Sequence, residues 1–148
     1  MQRLLPITVS ARSALVTVET ARVALGVDED SILGLVDTGA LRWAFDIAVC
    51  NIGRRRNREV RIWAACLAAH QRGEPQPGES LAAALAEIVP GASRHHLRAS
   101  EVRAILCCSQ QHIERLARNS ALDADLSNRT RWITVSSLLQ FLTRRHLS

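Results

Sequence analysis

The chain has 148 residues, of which 47% are hydrophobic and only 3% aromatic, and its formal net charge of +5 rests on arginine alone, with no lysine. That length suits one ordinary domain or two small ones, and a core built from Leu, Val, Ile and Ala favours helices. No apolar run is long enough to span a bilayer, which argues against a membrane-spanning helix, and a pI of about 10.2 points toward a polyanionic partner.

Residues 1–15 read as an N-terminal arm. Ile7-Thr8-Val9 has strand character, and Pro6 with its polar neighbours breaks any signal-peptide core, so the expected location is cytoplasmic. Thr17 is placed to cap a helix Val18–Leu25, which Gly26 ends because glycine reaches left-handed backbone cheaply. Asp28 caps a second helix, Glu29–Asp37, whose acidic first turn suits the positive end of the helix dipole, and Thr38-Gly39 stops it. Residues 41–49 are rich in strand formers. The turn that follows carries Arg54, Arg55, Arg56 and Arg58, and Glu59–Trp63 alternates polar and apolar as a returning strand. Strand, basic loop and strand make a β-hairpin wing, and Ala64–Gln71 is a helix closed by Gly73.

Glu74-Pro75-Gln76-Pro77-Gly78-Glu79 reads as a linker. Ser80 caps a short helix, Leu81–Val89, stopped by Pro90-Gly91, and packing within the chain is preferred to packing on a second subunit. From Leu97 the pattern begins again. Ser100 is expected to cap a helix that buries Val102, Ile105 and Leu106, with Cys107 and Cys108 filling a tight turn. Ser109 caps the next helix, in which Ile113 and Leu116 face inward. Ser127-Asn128 turns a shorter wing, Arg131-Trp132-Ile133 returns as a strand, and Ser136 or Ser137 opens a last helix with Leu138, Leu139 and Leu142 toward the core.

An offset of 81 sets Leu25 on Leu106, Ile32 on Ile113, Leu35 on Leu116, Leu41 on Leu122 and Arg22 on Arg103 without a gap. Ile62 and Ile133 then correspond at an offset of 71, so the first wing is longer by 10 residues. Apolar positions fall on apolar positions through both helices, as in a tandem duplication. The expected fold class is mainly α with small β-hairpin wings: two tandem winged helix-turn-helix domains, 16–73 and 97–148, joined by a linker with a short helix over 74–96.

The two units differ in charge. The outer helix of the second offers Ser109, Gln110, Gln111, His112, Arg115 and Arg118, and its wing offers Arg129 and Arg131. Glutamine suits adenine edges, arginine suits guanine edges, and either wing arginine suits phosphate. The outer helix of the first offers Glu29, Asp30, Leu33 and Asp37, whose carboxylates repel phosphates. Its wing arginines form the densest basic cluster of the chain, suited to the backbone or a narrow minor groove. The expected division of labour has the second unit reading bases of double-stranded DNA. The first anchors by its wing and turns its acidic helix to a protein; an ordinary solvated surface is the plainer reading of each face.

Nothing resembles a catalytic triad or a glycine-rich phosphate loop, so no enzyme and no cofactor is expected. Cys50, Cys66, Cys107 and Cys108 form no CxxC pair, and with His70, His95, His96, His112 and His146 they lack zinc-finger spacing, so no metal is expected. All four cysteines read as small buried apolar residues in a reducing compartment.

Leu97-Arg98-Ala99-Ser100-Glu101-Val102, Leu106-Cys107-Cys108-Ser109, Ile113-x-x-Leu116, Leu122 and Arg131-Trp132-Ile133-x-Val135-x-x-Leu138 together resemble the excisionase-type winged helix-turn-helix of the MerR-like superfamily. The first unit is similar through Val16-Thr17-Val18-Glu19, Leu25-Gly26-Val27 and Ile32-x-x-Leu35-Val36-x-x-Gly39-x-Leu41. The resemblance covers most of the chain outside the arm and the linker. It implies sequence-directed DNA binding, with the second helix of a unit in the major groove and the wing near the minor groove. Roles implied are excisionase-like DNA recombination directionality factor, small transcription regulator, or DNA-packaging (terminase-like) subunit. The implied partner is double-stranded DNA; a recombinase or other protein on the acidic helix of the first unit, and further copies of the chain in a homo-oligomer, are additional partners left open. Ser120 departs from the pattern, standing where the first unit has Gly39.

Overall fold

The computed structural model describes residues 14–49, 58–89, 94–127 and 129–147. In the first half, β1 (Leu15–Thr17) runs directly into α1 (Val18–Leu25), where the Thr17 hydroxyl accepts the Thr20 amide at 3.1 Å. Gly26, at φ 68, turns the chain and returns its amide to the Arg22 carbonyl. The Asp28 carboxylate accepts the Ser31 amide at 2.8 Å and opens α2 (Glu29–Thr38). Then β2 (Ala44–Asp46) and β3 (Val60–Trp63) pair antiparallel, and α3 (Ala64–Gln71) leaves β3 without a break. After α4 (Leu81–Ile88) the order recurs as β4 (His96–Arg98), α5 (Ala99–Leu106), α6 (Gln110–Arg118), β5 (Ala124–Ser127), β6 (Thr130–Thr134) and α7 (Val135–Arg144), followed by β7 (His146–Leu147).

The two halves repeat in register as well as in order. In the first, Leu15, Val16 and Thr17 face Trp63, Ile62 and Arg61; in the second, His96, Leu97 and Arg98 face Thr134, Ile133 and Trp132. These pairs are related by the same offsets of 81 and 71 that align the sequence. Loop hydrogen bonds recur too: Leu41 to the Leu35 carbonyl and Leu122 to the Leu116 carbonyl, Ala64 to Ala14 and Val135 to His95. Ser120 takes over the part of Gly39, with φ 62 against 85, and each sends its amide back three residues.

The described residues are mixed α/β, seven helices with two small antiparallel sheets, where the sequence predicts a mainly α chain. The strands missing from that expectation are β1, β4 and β7, each too short for alternation to register. Two predicted caps are also corrected. Ser100 lies inside α5, which starts at Ala99 behind Arg98, and the Glu101 carboxylate accepts the Arg98 amide at 2.8 Å. Thr134, rather than Ser136 or Ser137, caps α7. In both places a strand passes straight into a helix, so the last strand residue occupies the cap position before any downstream hydroxyl is reached.

Sheet order is β1-β3-β2-β7 in the first half and β4-β6-β5 in the second. The edge strand β7 therefore joins the sheet of the other half, with Phe45 opposite His146 and Ala44 opposite Leu147. The first sheet is covered on both faces, and every residue of β2 and β3 is buried. The second sheet buries one face, through Leu97 and Ile133, while Arg98 and Asp125 on the other stay exposed. One apolar cluster runs through both halves, and α4 adds Ala84, Leu85 and Ile88 to it while packing on α7. Among the described residues no helix is long and apolar enough to cross a membrane.

The 74–79 segment is pinned to the first half. Gln76 accepts the Arg42 amide and donates to the Cys66 carbonyl, both at 3.0 Å, and the Trp43 indole donates to the Pro77 carbonyl at 2.7 Å. Gly78 sits beneath that indole at φ 83, where a Cβ would come within 2.6 Å of Trp43 Nε1. Replacing Gly78 with Ala should therefore destabilise the fold by about 1–2 kcal/mol, seen as a lower urea midpoint with unchanged slope. Ser120→Gly should act oppositely. It relieves a left-handed L-residue and should raise stability by up to about 1 kcal/mol in the same measurement.

Candidate nucleic-acid interface

Helix α6 follows the turn Cys107–Ser109. Cys107 ends α5 in left-handed conformation, φ 55, and the Ser109 hydroxyl accepts the His112 amide at 3.1 Å to start α6. Ile113 and Leu116 are fully buried and fix the phase of the helix. That phase leaves Gln110, Gln111, Arg115 and Arg118 exposed. Both arginines lie in the last turn, where the helix dipole favours cations. Gln110 is not free-standing: its amide donates to Glu114 at 3.2 Å. Glu114 was not among the predicted site residues, although its i,i+4 spacing from Gln110 signalled the contact.

His112 is a correction. It is half-buried, and its Nε2 donates to the Ile47 carbonyl of the first half at 2.6 Å. A ring used in this way docks α6 on the neighbouring half and does not face outward. Ser109 likewise commits its oxygen to the cap, while staying exposed at the helix start.

Downstream, β5 and β6 form the hairpin expected as the second wing. Arg129 is exposed at its turn with φ 64, and Arg131 is half-buried opposite Leu126. On the other face, the Arg98 guanidinium lies 5.7 Å from the Trp132 ring centre. The sequence does not signal Arg98, because the three-residue strand that places it beside Trp132 carries no periodicity of its own. At the start of α5, Arg94 pairs with Glu101 at 3.0 Å.

In the first half, Arg54, Arg55 and Arg56 lie outside the described residues. Arg58 is half-buried in a groove of about 520 Å³ that also collects Glu19, Glu29, Asp37 and Glu59. It therefore shares its groove with carboxylates, which the hairpin-tip picture of the basic wing does not include. Helix α2 exposes Glu29, Asp30 and Asp37, and Leu33 is half-buried. Position for position, Glu29, Asp30, Gly34 and Asp37 stand where α6 has Gln110, Gln111, Arg115 and Arg118. Two equivalent helix faces thus carry opposite charge.

The cysteines depart from the expectation of uniform burial. Cys66 is buried and Cys108 half-buried, and burial pushes both thiols up to about 11, so they stay protonated at neutral pH. Cys107 is exposed, because the left-handed helix end turns its side chain out; Cys50 lies outside the described residues. Among the described residues no cluster of three or more His, Cys, Asp and Glu is placed to hold a metal. Compared with family models, curated proteins and solved structures, the chain matches none of them.

The Arg94 guanidinium, and then the Arg98 amide, hold the Glu101 carboxyl below its ordinary value of 4.5. A depressed carboxylate contributes stability above its unfolded pKa and loses it as pH falls through the folded value. Wild type should therefore exceed Glu101→Gln in melting temperature at neutral pH. The gap should close as pH falls below about 4.5.

Proposed function

We propose that the chain binds double-stranded DNA in a sequence-directed way, as an excisionase-like recombination directionality factor or small transcription regulator. The units are read as two tandem winged helix-turn-helix modules of the excisionase type. The observation that carries this reading is the open face of α6, where Gln111, Arg115 and Arg118 are all exposed, followed by a hairpin bearing Arg129 and Arg131. Helix α6 enters the major groove. Gln111 reads an adenine edge and Arg115 a guanine edge, each able to make a bidentate pair. Arg118, Arg129 and Arg131 hold phosphates and set the register. Gln110 is oriented by Glu114, and His112 keeps the helix fixed on the first half.

A second reading is a protein-interaction module or small DNA-packaging subunit that meets its partner through α2. The exposed Glu29, Asp30 and Asp37, which phosphates would repel, favour it. In the DNA-binding reading the same acidic face is the surface turned to a recombinase or other protein.

Selection from a random-sequence duplex pool, followed by titration at several salt concentrations, separates these readings. Wild type should return a defined motif and lose affinity steeply with salt. Arg115→Ala should cost about 1–3 kcal/mol and relax the preference at one base position. Arg118→Ala should weaken all sequences alike and lower the salt slope by about one. No affinity at low salt would remove the DNA reading and leave the protein-interaction one.

A further inference from the structure

We infer that Leu126 is an apolar wedge that enters a base step of the bound duplex from the minor groove and bends it; this deepens, and rests on, the DNA-binding reading above. Among the described residues, the large apolar side chains exposed to solvent are Val23 at 66% and Leu126 at 67%. A single exposed aliphatic group needs no explanation by itself. Leu126 is distinguished by where it stands. It belongs to the next-to-last pair before the hairpin turn, directly opposite Arg131, and Arg129 occupies the turn in left-handed conformation. The hairpin end therefore carries one exposed apolar residue, with an arginine opposite it on the paired strand and another in the turn.

The internal repeat makes that exposure informative. Register sets Leu126 on Asp46: Asp46 faces Val60, Leu126 faces Arg131, and Ile62 and Ile133 anchor both alignments. Asp46 is only 3% exposed, and its carboxylate accepts the amides of Ala48 at 3.0 Å and Glu59 at 2.9 Å. At one and the same station, the first half buries a charged group and the second exposes an apolar one. Burial preferences favour the reverse in each case. The buried aspartate is explained by its hydrogen bonds at the base of the first hairpin. The exposed leucine has no such role in the fold, since it is not packed against the core cluster.

The chemistry of a minor-groove wedge is an aliphatic or aromatic side chain on a slender element, with cations on either side for the phosphates. Leu126, Arg129 and Arg131 supply those parts. Side chains alternate along a strand, so Leu126 and Arg131 share the hairpin face of Ala124 and Ile133, which is turned toward the helices, away from Trp132 and Arg98. Such a wedge requires that, with α6 seated in a major groove, this tip reach the neighbouring minor groove.

The test uses the whole chain and a duplex recovered from the random pool. A fluorescent adenine analogue is placed at successive steps along the bound site, and a dye pair on the duplex ends reports bending. In the wild-type complex the analogue should brighten at one step, from unstacking, and the ends should approach. Leu126→Ser should abolish both signals and weaken binding about tenfold, with unchanged circular dichroism and melting temperature. Leu126→Met should retain them, since methionine also serves as a wedge. A wild-type complex with no brightened step and a straight duplex overturns the wedge while leaving DNA binding intact. So does a Leu126→Ser complex indistinguishable from wild type. Absence of any wild-type binding at low salt overturns the wedge and the DNA-binding reading together.

Discussion

The Arg61 guanidinium joins the two halves. It is only 8% exposed, yet well satisfied: Nε donates to the Leu106 carbonyl at 3.0 Å, Nη2 to the Cys107 carbonyl at 2.9 Å and Nη1 to the Val60 carbonyl at 3.1 Å. Glu59 lies within 3.2 Å and balances its charge. The carbonyls of Leu106 and Cys107 close α5, an end that leaves acceptors without intrahelical partners and carries partial negative charge. A buried cation is costly unless paired and hydrogen-bonded, and this one is both. Arg145 makes the reverse gesture, leaving the end of α7 to donate to the carbonyls of Asp46 at 3.0 Å and Ala48 at 2.7 Å. Each half thus lends an arginine to the backbone of the other, and His112 adds a third polar tie to the same region.

This exchange explains why two units with one plan have become so different. The outer face of the first sheet, bearing Thr17, Arg61 and Phe45, is given over to the internal junction. A sheet covered on both faces carries apolar residues nearly without interruption, which is what Ala44-Phe45 and Val60, Ile62 and Trp63 display. The matching face of the second sheet has Arg98 and Trp132 instead, and it remains open. Fixing the junction also fixes the relation between the acidic face of α2 and the basic face of α6, so the two cannot be presented independently of one another.

What could be read from the sequence was what is local. Helices Val18–Leu25 and Ala64–Gln71 fall where caps, glycines and apolar spacing place them, and Ile113 with Leu116 suffices to phase α6 and expose Gln111, Arg115 and Arg118. The internal repeat was legible because buried aliphatic positions keep their spacing while the surface diverges. What escaped depends on partners far along the chain. His112 reads as outward-facing until Ile47 is brought against it, and Arg61 reads as a polar strand residue until the end of α5 covers it. Three-residue strands carry no periodicity of their own. The position of Ser100, a good cap by type, was decided by a strand running into the helix ahead of it.

The pairing of β7 with β2 bears on how the molecule is made. Arg145 and Asp46, which bond beside this pair, are 99 positions apart. Residue 147 is among the last to be made, and until β7 is in place the rim of β2 has no strand on that side. Closing so large a loop adds entropy cost only slowly with length, but contacts of such separation form late and retard folding. An open strand rim is also a template for pairing with a neighbouring nascent chain.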